Sequence, residues 1–337
     1  MPSSQIVIVT DVLDEHVDPV IRQLVAGGHE PVRVNAGDIP LNVDLSVGLA
    51  GPAWTGSIRI ISNGRTVDVA DIRSVWWRGR GALGLASDLS AWEREFAEEE
   101  IRHATRGLWS TVDCHWVSHP DAIERAAYKM EQLSRAARLG FSVPRTLVSN
   151  DPEQVLAFVE GCQGGAVYKV LTDPFLRLVP HLRRTPDAEV TPVIVRTTRV
   201  DAGVRAALES VRGVPCQFQE LVPKRSELRV TVIDDELFCA EVPTSDSAPL
   251  DWRVDGPDVD WRAAELPDEV ARRCLALVAS YGLAFGAIDL IHTPDGEYVF
   301  LEINPSGQFL FVQYKVPSLR MDEALAASLI RGRAGAP

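Results

Sequence analysis

The sequence predicts an α/β protein with mixed helix-and-strand lobes, and three observations predict it. A strand, a helix and a second strand fit into the first 34 residues. Short apolar runs then alternate with helical stretches through the rest of the chain. The last third closes on a hairpin whose strands carry acids inside apolar runs.

Ile6 to Val9 is a short apolar run, and Val17, Val20, Ile21, Leu24 and Val25 then keep helical spacing up to Gly27-Gly28. Pro31 to Val34 alternates like a strand, so the chain opens with a βαβ unit and an α/β layer. The turn after the first run, TDVLDEHVD, is acidic and lacks GxGxxG, which excludes the dinucleotide fingerprint. Ser57–Ile60 and Thr66–Val69 flank Asn63-Gly64, a hairpin signal, and Ser74–Arg78 is a further strand. Within it, Trp76-Trp77-Arg78 reads as core packing plus one exposed arginine. Leu89 to Leu108 is an acidic helix whose glutamates form a solvated face.

A single helix is expected from Asp121, its cap, to Gly140, its stop, followed by a strand over Phe141–Thr146. Pro152–Gly161 reads as helix, Ala166–Val170 as strand, and Arg177 to Val200 as a basic strand-like stretch broken by Pro180, Pro186 and Pro192. A helix near Ala202–Val211, a strand at Cys216–Leu221 and two strands across Glu227–Val242 come next. A helix from Pro267 to Tyr281 leads into the final hairpin, Ala284–His292 with Tyr298–Ile303, joined through Pro294-Asp295-Gly296.

Composition bounds the function. The 337 residues are 46% hydrophobic and 24% charged, an ordinary globular mixture for two or three domains. With 34 Lys+Arg against 47 Asp+Glu, the net charge of -13 disfavours nucleic acid and anionic membrane as partners. The stretch from Lys169 to Arg229 departs from this, with eleven basic and seven acidic residues. It is either a solvated basic face or a lobe that draws an acidic polypeptide or nucleotide. Five scattered cysteines without CxxC fit reduced thiols. The opening MPSSQIVIVTDVLDEHVDP lacks a basic n-region and a long apolar h-region, so a cytoplasmic soluble protein is expected.

The strongest chemical signal is at the final hairpin. Glu302 and Asn304 are two apart on one strand and share a face, and the hairpin can set Asp289 opposite them. Two carboxylates and an amide oxygen form a hard, oxygen-only set suited to Mg2+ shared with nucleotide phosphates. The plainer alternative, a wet polar face, conflicts with the apolar runs around Asp289 and Glu302. Upstream, Lys169 in AVYKV is either an edge-strand ammonium or a phosphate ligand. The strand at Cys216–Leu221 ends in an acid and an apolar pair, which can offer its edge to an adenine. Glu227 and Arg229 share a strand face, either as an ion pair or with Arg229 holding a phosphoryl group or carboxylate. No histidine among the seven has a context that marks it as a general base.

In this order the parts resemble the ATP-grasp superfamily of carboxylate–amine and carboxylate–hydroxyl ligases, and most of all the graspetide (microviridin-type) peptide macrocyclases. The carrying segments are SVWWRGRG from Ser74, ELRVTVIDDELFCAEV from Glu227, PLDWRV from Pro249, GLAFGAIDLI from Gly282 and FLEINPSGQFLFVQ from Phe300. The resemblance implies an ATP-grasp fold: an N-terminal pre-ATP-grasp α/β domain at 1–118, a central lobe at 119–212 and a C-terminal lobe at 213–333 that clamp ATP between them. It implies that Lys169 and Lys129 bind phosphates, that Glu220, Leu221 and Val222 line the adenine, and that Glu227 lies near the ribose. Arg229 would neutralise the transferring phosphoryl group, and Asp289, Glu302 and Asn304 would hold Mg2+.

The implied activity is ADP-forming. Asp or Glu carboxylates of a ribosomal precursor peptide become acyl phosphates and are closed onto Thr/Ser hydroxyls or Lys amines. The leader part of that peptide would bind the central lobe. Related enzymes are often dimers, which leaves a homodimer open. LTDPFLRL stands after Lys169 where many relatives carry a small-residue loop. The alternative is a RimK-like amino-acid ligase that adds a free residue to a carboxylate; such enzymes share the D…E-x-N core. A nucleotide-binding scaffold without turnover has no physical reason to retain the charged set.

Overall fold

In a computed structural model the described residues are 5–79, 83–172, 175–176, 193–194, 197–244 and 260–332. The N-terminal layer is built as its βαβ opening predicts. Strand β1 (Gln5–Thr10) leads through helix α1 (Val17–Ala26) to β2 (Val32–Asn35). An antiparallel sheet of β3 (Val43–Ala50), β4 (Ala53–Ile60) and β5 (Thr66–Asp68) follows; its first strand is absent from the sequence expectation. Strand β6 (Ile72–Trp77), helix α2 (Ala91–Thr111) and β7 (His115–Val117) complete a parallel sheet in the order β2-β1-β6-β7. Val7, Val9, Val34 and Val75 of that sheet pack with Ile58, Val67, Leu108 and Trp109 in one core.

The expected helix from Asp121 to Gly140 is two helices, α3 (Pro120–Ala126) and α4 (Lys129–Arg138). The cap is His119 rather than Asp121: its side chain accepts the Asp121 N–H, and Pro120 occupies the first turn. Gly140 ends α4 as expected, at φ 88°. The strand expected at Phe141–Thr146 begins only at its end, as β8 (Thr146–Ser149), because Pro144 interrupts the ladder.

Helix α5 (Pro152–Glu160) and β9 (Ala166–Lys169) follow, then the two-residue strands β10 (Phe175–Leu176), β11 (Val193–Ile194) and β12 (Thr198–Arg199). Helix α6 (Ala202–Ala206) and β13 (Cys216–Glu220) close a four-stranded sheet ordered β12-β9-β13-β8. Arg177, Arg183, Arg184 and Arg196 of the basic stretch, half of LTDPFLRL, the end of SVWWRGRG and all of PLDWRV lie outside the described residues.

The C-terminal sheet is formed by β14 (Ser226–Ile233), β15 (Glu236–Pro243), the short β16 (Arg262–Ala263), β17 (Phe285–His292) and β18 (Tyr298–Asn304). Its order is β16-β15-β14-β17-β18. Helix α7 (Asp268–Ser280) connects β16 to β17, and α8 (Leu310–Lys315) and α9 (Met321–Arg331) follow β18. Leu228, Val230, Ile288, Leu290, Phe300 and Ile303 line one face of this sheet and pack with Ala122, Leu133 and Ala136 of α3 and α4 and Cys274 and Leu277 of α7. So α3 and α4 rest on the C-terminal sheet, while β13 belongs to the sheet of β8 and β9. Helix α9 returns to the N-terminal layer, where Leu325 and Leu329 share a core with Ile8, Leu24, Trp76, Phe285 and Phe309.

Candidate functional site

The site is a row of charges running across the C-terminal sheet. Arg229 on β14 pairs in register with Asp289 on β17, and Asp289 pairs with Glu302 on β18. Directly opposite residues share a face, so the three side chains stand in line. A regular hairpin continued from His292↔Tyr298 and Leu290↔Phe300 would set Leu301 opposite Asp289. Instead the register shifts by one after Leu290. This bulge turns Glu302, and with it Asn304, onto the face of Asp289. Asn304 is then one step further along, opposite Ala287, with its Nδ2 3.4 Å from Glu302 Oε1.

The guanidinium of Arg229 is 4% exposed. Its Nη1 donates to Asp289 Oδ1 at 2.8 Å and its Nη2 to the Gln308 carbonyl at 2.9 Å. The sequence allowed an ordinary surface ion pair here; the structure gives a buried cross-strand pair with Asp289. Such a pair contributes little to net stability but is costly to break on one side. Gly307 makes the approach of the 304–308 turn possible, since a Cβ there would stand 2.7 Å from Ala287 Cβ and 2.8 Å from Arg229 Nη2.

Lys129, at the start of α4, joins the row from the side. Its ammonium lies 3.2 Å from Glu302 Oε2 and donates to the Val170 carbonyl at 2.9 Å. Val170 follows Lys169, so Lys129 links the end of β9 to the acid row. One turn along α4, Gln132 closes the open edge of β18. Its Nε2 donates to the Ile303 and Ala126 carbonyls at 2.9 and 2.6 Å, and its Oε1 accepts the Ile303 N–H. Gln132 thus fixes the backbone between Glu302 and Asn304. Its signal in the sequence is no more than a polar side chain three residues beyond Lys129 on the buried helix face.

Lys169 ends β9, opposite Gln217 of β13. β9 lies inside its sheet, between β12 and β13, so Lys169 is not an edge-strand ammonium. Glu220 and Leu221 mark the exit of β13, where their N–H groups donate to the Arg145 and Gly165 carbonyls, and Val222 continues that edge half-buried. Glu227 lies on the Arg229 side of β14 and takes Lys224 Nζ at 2.6 Å. The structure therefore groups Lys129, Arg229, Asp289, Glu302 and Asn304 through direct contacts or register, with Lys169 one residue from the Lys129 contact. Glu220–Val222 and Glu227 occupy the strand ends leading to that group.

Arg78 corrects the expectation of an exposed arginine. Its side chain is 7% exposed, and its Nε donates to Asp14 at 2.6 Å. Nearby His16 is 5% exposed. Burial, then the positive field of Arg78, lowers its pKa to about 4, with Asp14 pulling the other way and Arg229 adding to the fall. His16 is therefore a neutral imidazole near neutral pH, a state that nothing in its local sequence marks.

Lys169 thus ends a strand of one sheet, while the buried Arg229 and the oxygen-donor row stand on a second. Residues 5–124 match the MvdD pre-ATP-grasp domain family. The fold is similar to that of macrocyclase MdnC of Microcystis aeruginosa MRC, solved with its precursor peptide MdnA: 28% identity over 97% of this chain and 99% of that one, TM-score 0.83. It is similar also to a Chryseobacterium gregarium RiPP-associated ATP-grasp ligase, solved with ADP and a leader and core peptide: 29% identity over 97% and 96%, TM-score 0.85. Macrocyclase MdnB of Microcystis aeruginosa MRC matches at 28% identity over 97% and 99%, with a TM-score of 0.77. No curated protein matches. The chain has the ATP-grasp fold, and over nearly its whole length it is similar to ATP-grasp ligases and macrocyclases of ribosomal peptides. Among the described residues no helix is long and apolar enough to cross a membrane.

Proposed function

We propose that the chain is an ATP- and Mg2+-dependent, ADP-forming peptide macrocyclase acting in the cytoplasm on a ribosomally made precursor peptide. The observation that carries this reading is the register row Arg229–Asp289–Glu302, with Asn304 beside it and Lys129 reaching Glu302 from the side. Asp289, Glu302 and Asn304 are hard oxygen donors on one face, a set that suits Mg2+. Bound Mg2+ would neutralise phosphate charge.

In this reading a substrate carboxylate oxygen attacks the γ-phosphorus, the bond to the β-phosphate oxygen breaks, and ADP leaves. A Thr/Ser hydroxyl or Lys amine then attacks the acyl carbon, phosphate leaves, and a proton passes to solvent. Arg229 stabilises charge on the transferring group; held away from water, such a donor contributes about 10²–10³ in rate. Lys169 and Lys129 hold phosphates, Glu220, Leu221 and Val222 line the adenine, and Glu227 faces the ribose. A division at 118, a second one moved from 212 to beyond Glu220 because β13 lies in the sheet of β8 and β9, capture of the leader by the central lobe and a homodimer belong to the same proposal.

The test is the intact mass of the small peptide encoded beside this gene after incubation with the protein and Mg-ATP. ATP-dependent loss of water is expected. Gain of an amino-acid residue would replace the reading with the RimK-like ligase, and a peptide left unchanged while ATP is consumed with another acceptor would overturn the substrate assignment.

A further inference from the structure

Three ionisable groups of the N-terminal layer have no part in the mechanism above: the buried His16 and the half-buried Asp14 and Arg78. They gather where β1 and β6 end side by side, since these strands are parallel neighbours. Asp14 organises the loop: it accepts from Thr10 Oγ1 at 2.9 Å, from the His16 N–H at 3.1 Å and from Arg78 Nε at 2.6 Å. Burial alone would raise the pKa of Asp14, but the Arg78 guanidinium holds it below the usual carboxylate value, so the pair is ionic.

The loop touches the C-terminal lobe through His16. Its Nδ1 lies 3.5 Å from the Phe309 N and 3.4 Å from the Leu310 N and accepts from both, and its ring stands 5.1 Å from the Phe309 ring. These amides directly follow Gln308, whose carbonyl takes Arg229 Nη2. The segment from Gly307 to Leu310 is therefore held on one side by Arg229 and on the other by His16. It is restrained also by the tight seat of Gly307 against Ala287, by the Gly307 N–H donating to the Asn304 carbonyl and by the Phe309 and Leu310 side chains buried in the shared core.

We propose that His16 is a positioning residue for Arg229: it grips the Phe309 and Leu310 amides and so sets the Gln308 carbonyl that orients the guanidinium. Asp14 and Arg78 hold the His16 loop in place. The N-terminal layer is by this inference part of the transfer apparatus rather than only a neighbour of it. A neutral imidazole is required, because only an unprotonated Nδ1 accepts. The charged groups around His16 are Asp14, Arg78 and Arg229, and two of the three repel a proton from it.

The inference rests on the ligase reading for its rate consequence but not for its geometry, so two readouts separate them. Backbone amide exchange at Phe309 and Leu310 reads the grip without turnover. His16→Leu should speed exchange there, while His16→Asn, whose carbonyl oxygen can replace Nδ1, should keep it slow. Unchanged exchange in His16→Leu would overturn the inference whether or not the protein is active. In turnover, His16→Leu should lower kcat about tenfold or more, with little change in KM for ATP, because small displacements of a positioned group are costly. His16→Asn should recover most of that rate at an unchanged melting temperature.

Acting through Arg229, His16→Leu should add little further loss in an Arg229→Lys background. A fully additive loss, or an Asn variant as slow as the Leu variant, would refute the positioning role. Faster exchange in His16→Leu, with a wild-type protein that never turns ATP over, would leave the grip standing and remove the ligase reading.

Discussion

The turn at Gly307 gives the sharpest test of the site, through Gly307→Ala. The added Cβ would stand 2.7 Å from Ala287 Cβ, 2.8 Å from Arg229 Nη2 and 3.1 Å from Asn304 Cβ. Ordinary carbon contacts are about 3.5–4.0 Å, so relief needs a movement of about 1 Å. Ala287 is fully buried in the sheet and cannot give way. Either the guanidinium turns and weakens its bond to Asp289, or the 304–308 turn lifts and takes Asn304 and the Gln308 carbonyl with it. Overpacking of this kind costs about 1–3 kcal/mol in stability. A displacement of about 1 Å in a catalytic group costs about 10²-fold in rate. ADP release under saturating Mg-ATP and peptide should therefore fall about a hundredfold in a variant that still folds, with a melting temperature a few degrees lower. The control is Gly107→Ala on the exposed side of α2, where an added Cβ meets nothing within 4 Å. Wild-type turnover and melting in Gly307→Ala would refute the packed arrangement around Arg229.

Other expectations follow from the same contacts. Gly107→Ala should itself stabilise the protein by up to about 1 kcal/mol, because glycine is a poor residue in a helix interior; urea unfolding reads this. Glu302→Ala should abolish turnover with little loss of fold, and wild-type ATP consumption in that variant would remove the Mg2+ assignment. Arg229→Lys keeps a charge beside Asp289 but loses the fork, so kcat should fall about 10²-fold while ATP affinity changes little; an effect on affinity alone would make Arg229 a ground-state nucleotide ligand. His16 has a folded pKa of about 4, below its value in the unfolded chain, so unfolding takes up a proton between about pH 4 and 6.5. Stability should be complete above that window and fall by roughly 3 kcal/mol across it as pH is lowered. His115, also lowered by burial, adds to the same slope, so His16→Asn should remove part of it; an unchanged slope would place the imidazole in contact with water.

Much of the fold is readable from local pattern. The βαβ opening, the Asn63-Gly64 hairpin and the hairpin of β17 and β18 appear where periodicity and turn residues put them, because these features are set by neighbours in sequence. That Asp289 and Glu302 must find polar or charged partners was readable for a related reason: acids inside apolar strands need one. The break between α3 and α4 was hidden, since apolar spacing continues through Ala126 and Tyr128 and nothing local shows that Lys129 must start a new helix toward Glu302. Helices α8 and α9 were likewise missed, as α9 is held by its packing on the N-terminal layer.

The sequence by itself determined the kind of side chains available to the site, their order along the chain and the strands that carry them. Tertiary structure decided which of them meet. One extra residue in β18, Leu301, turns Glu302 toward Asp289; without it the alternation of the strand would point Leu301 there instead. The meeting of Lys129 with Glu302 and of His16 with the amides beyond Gln308 joins residues 173 and about 290 positions apart. Side-chain type is a local property of the chain, whereas these contacts arise only when separate layers pack, and packing chooses among strand registers that local pattern leaves nearly equivalent.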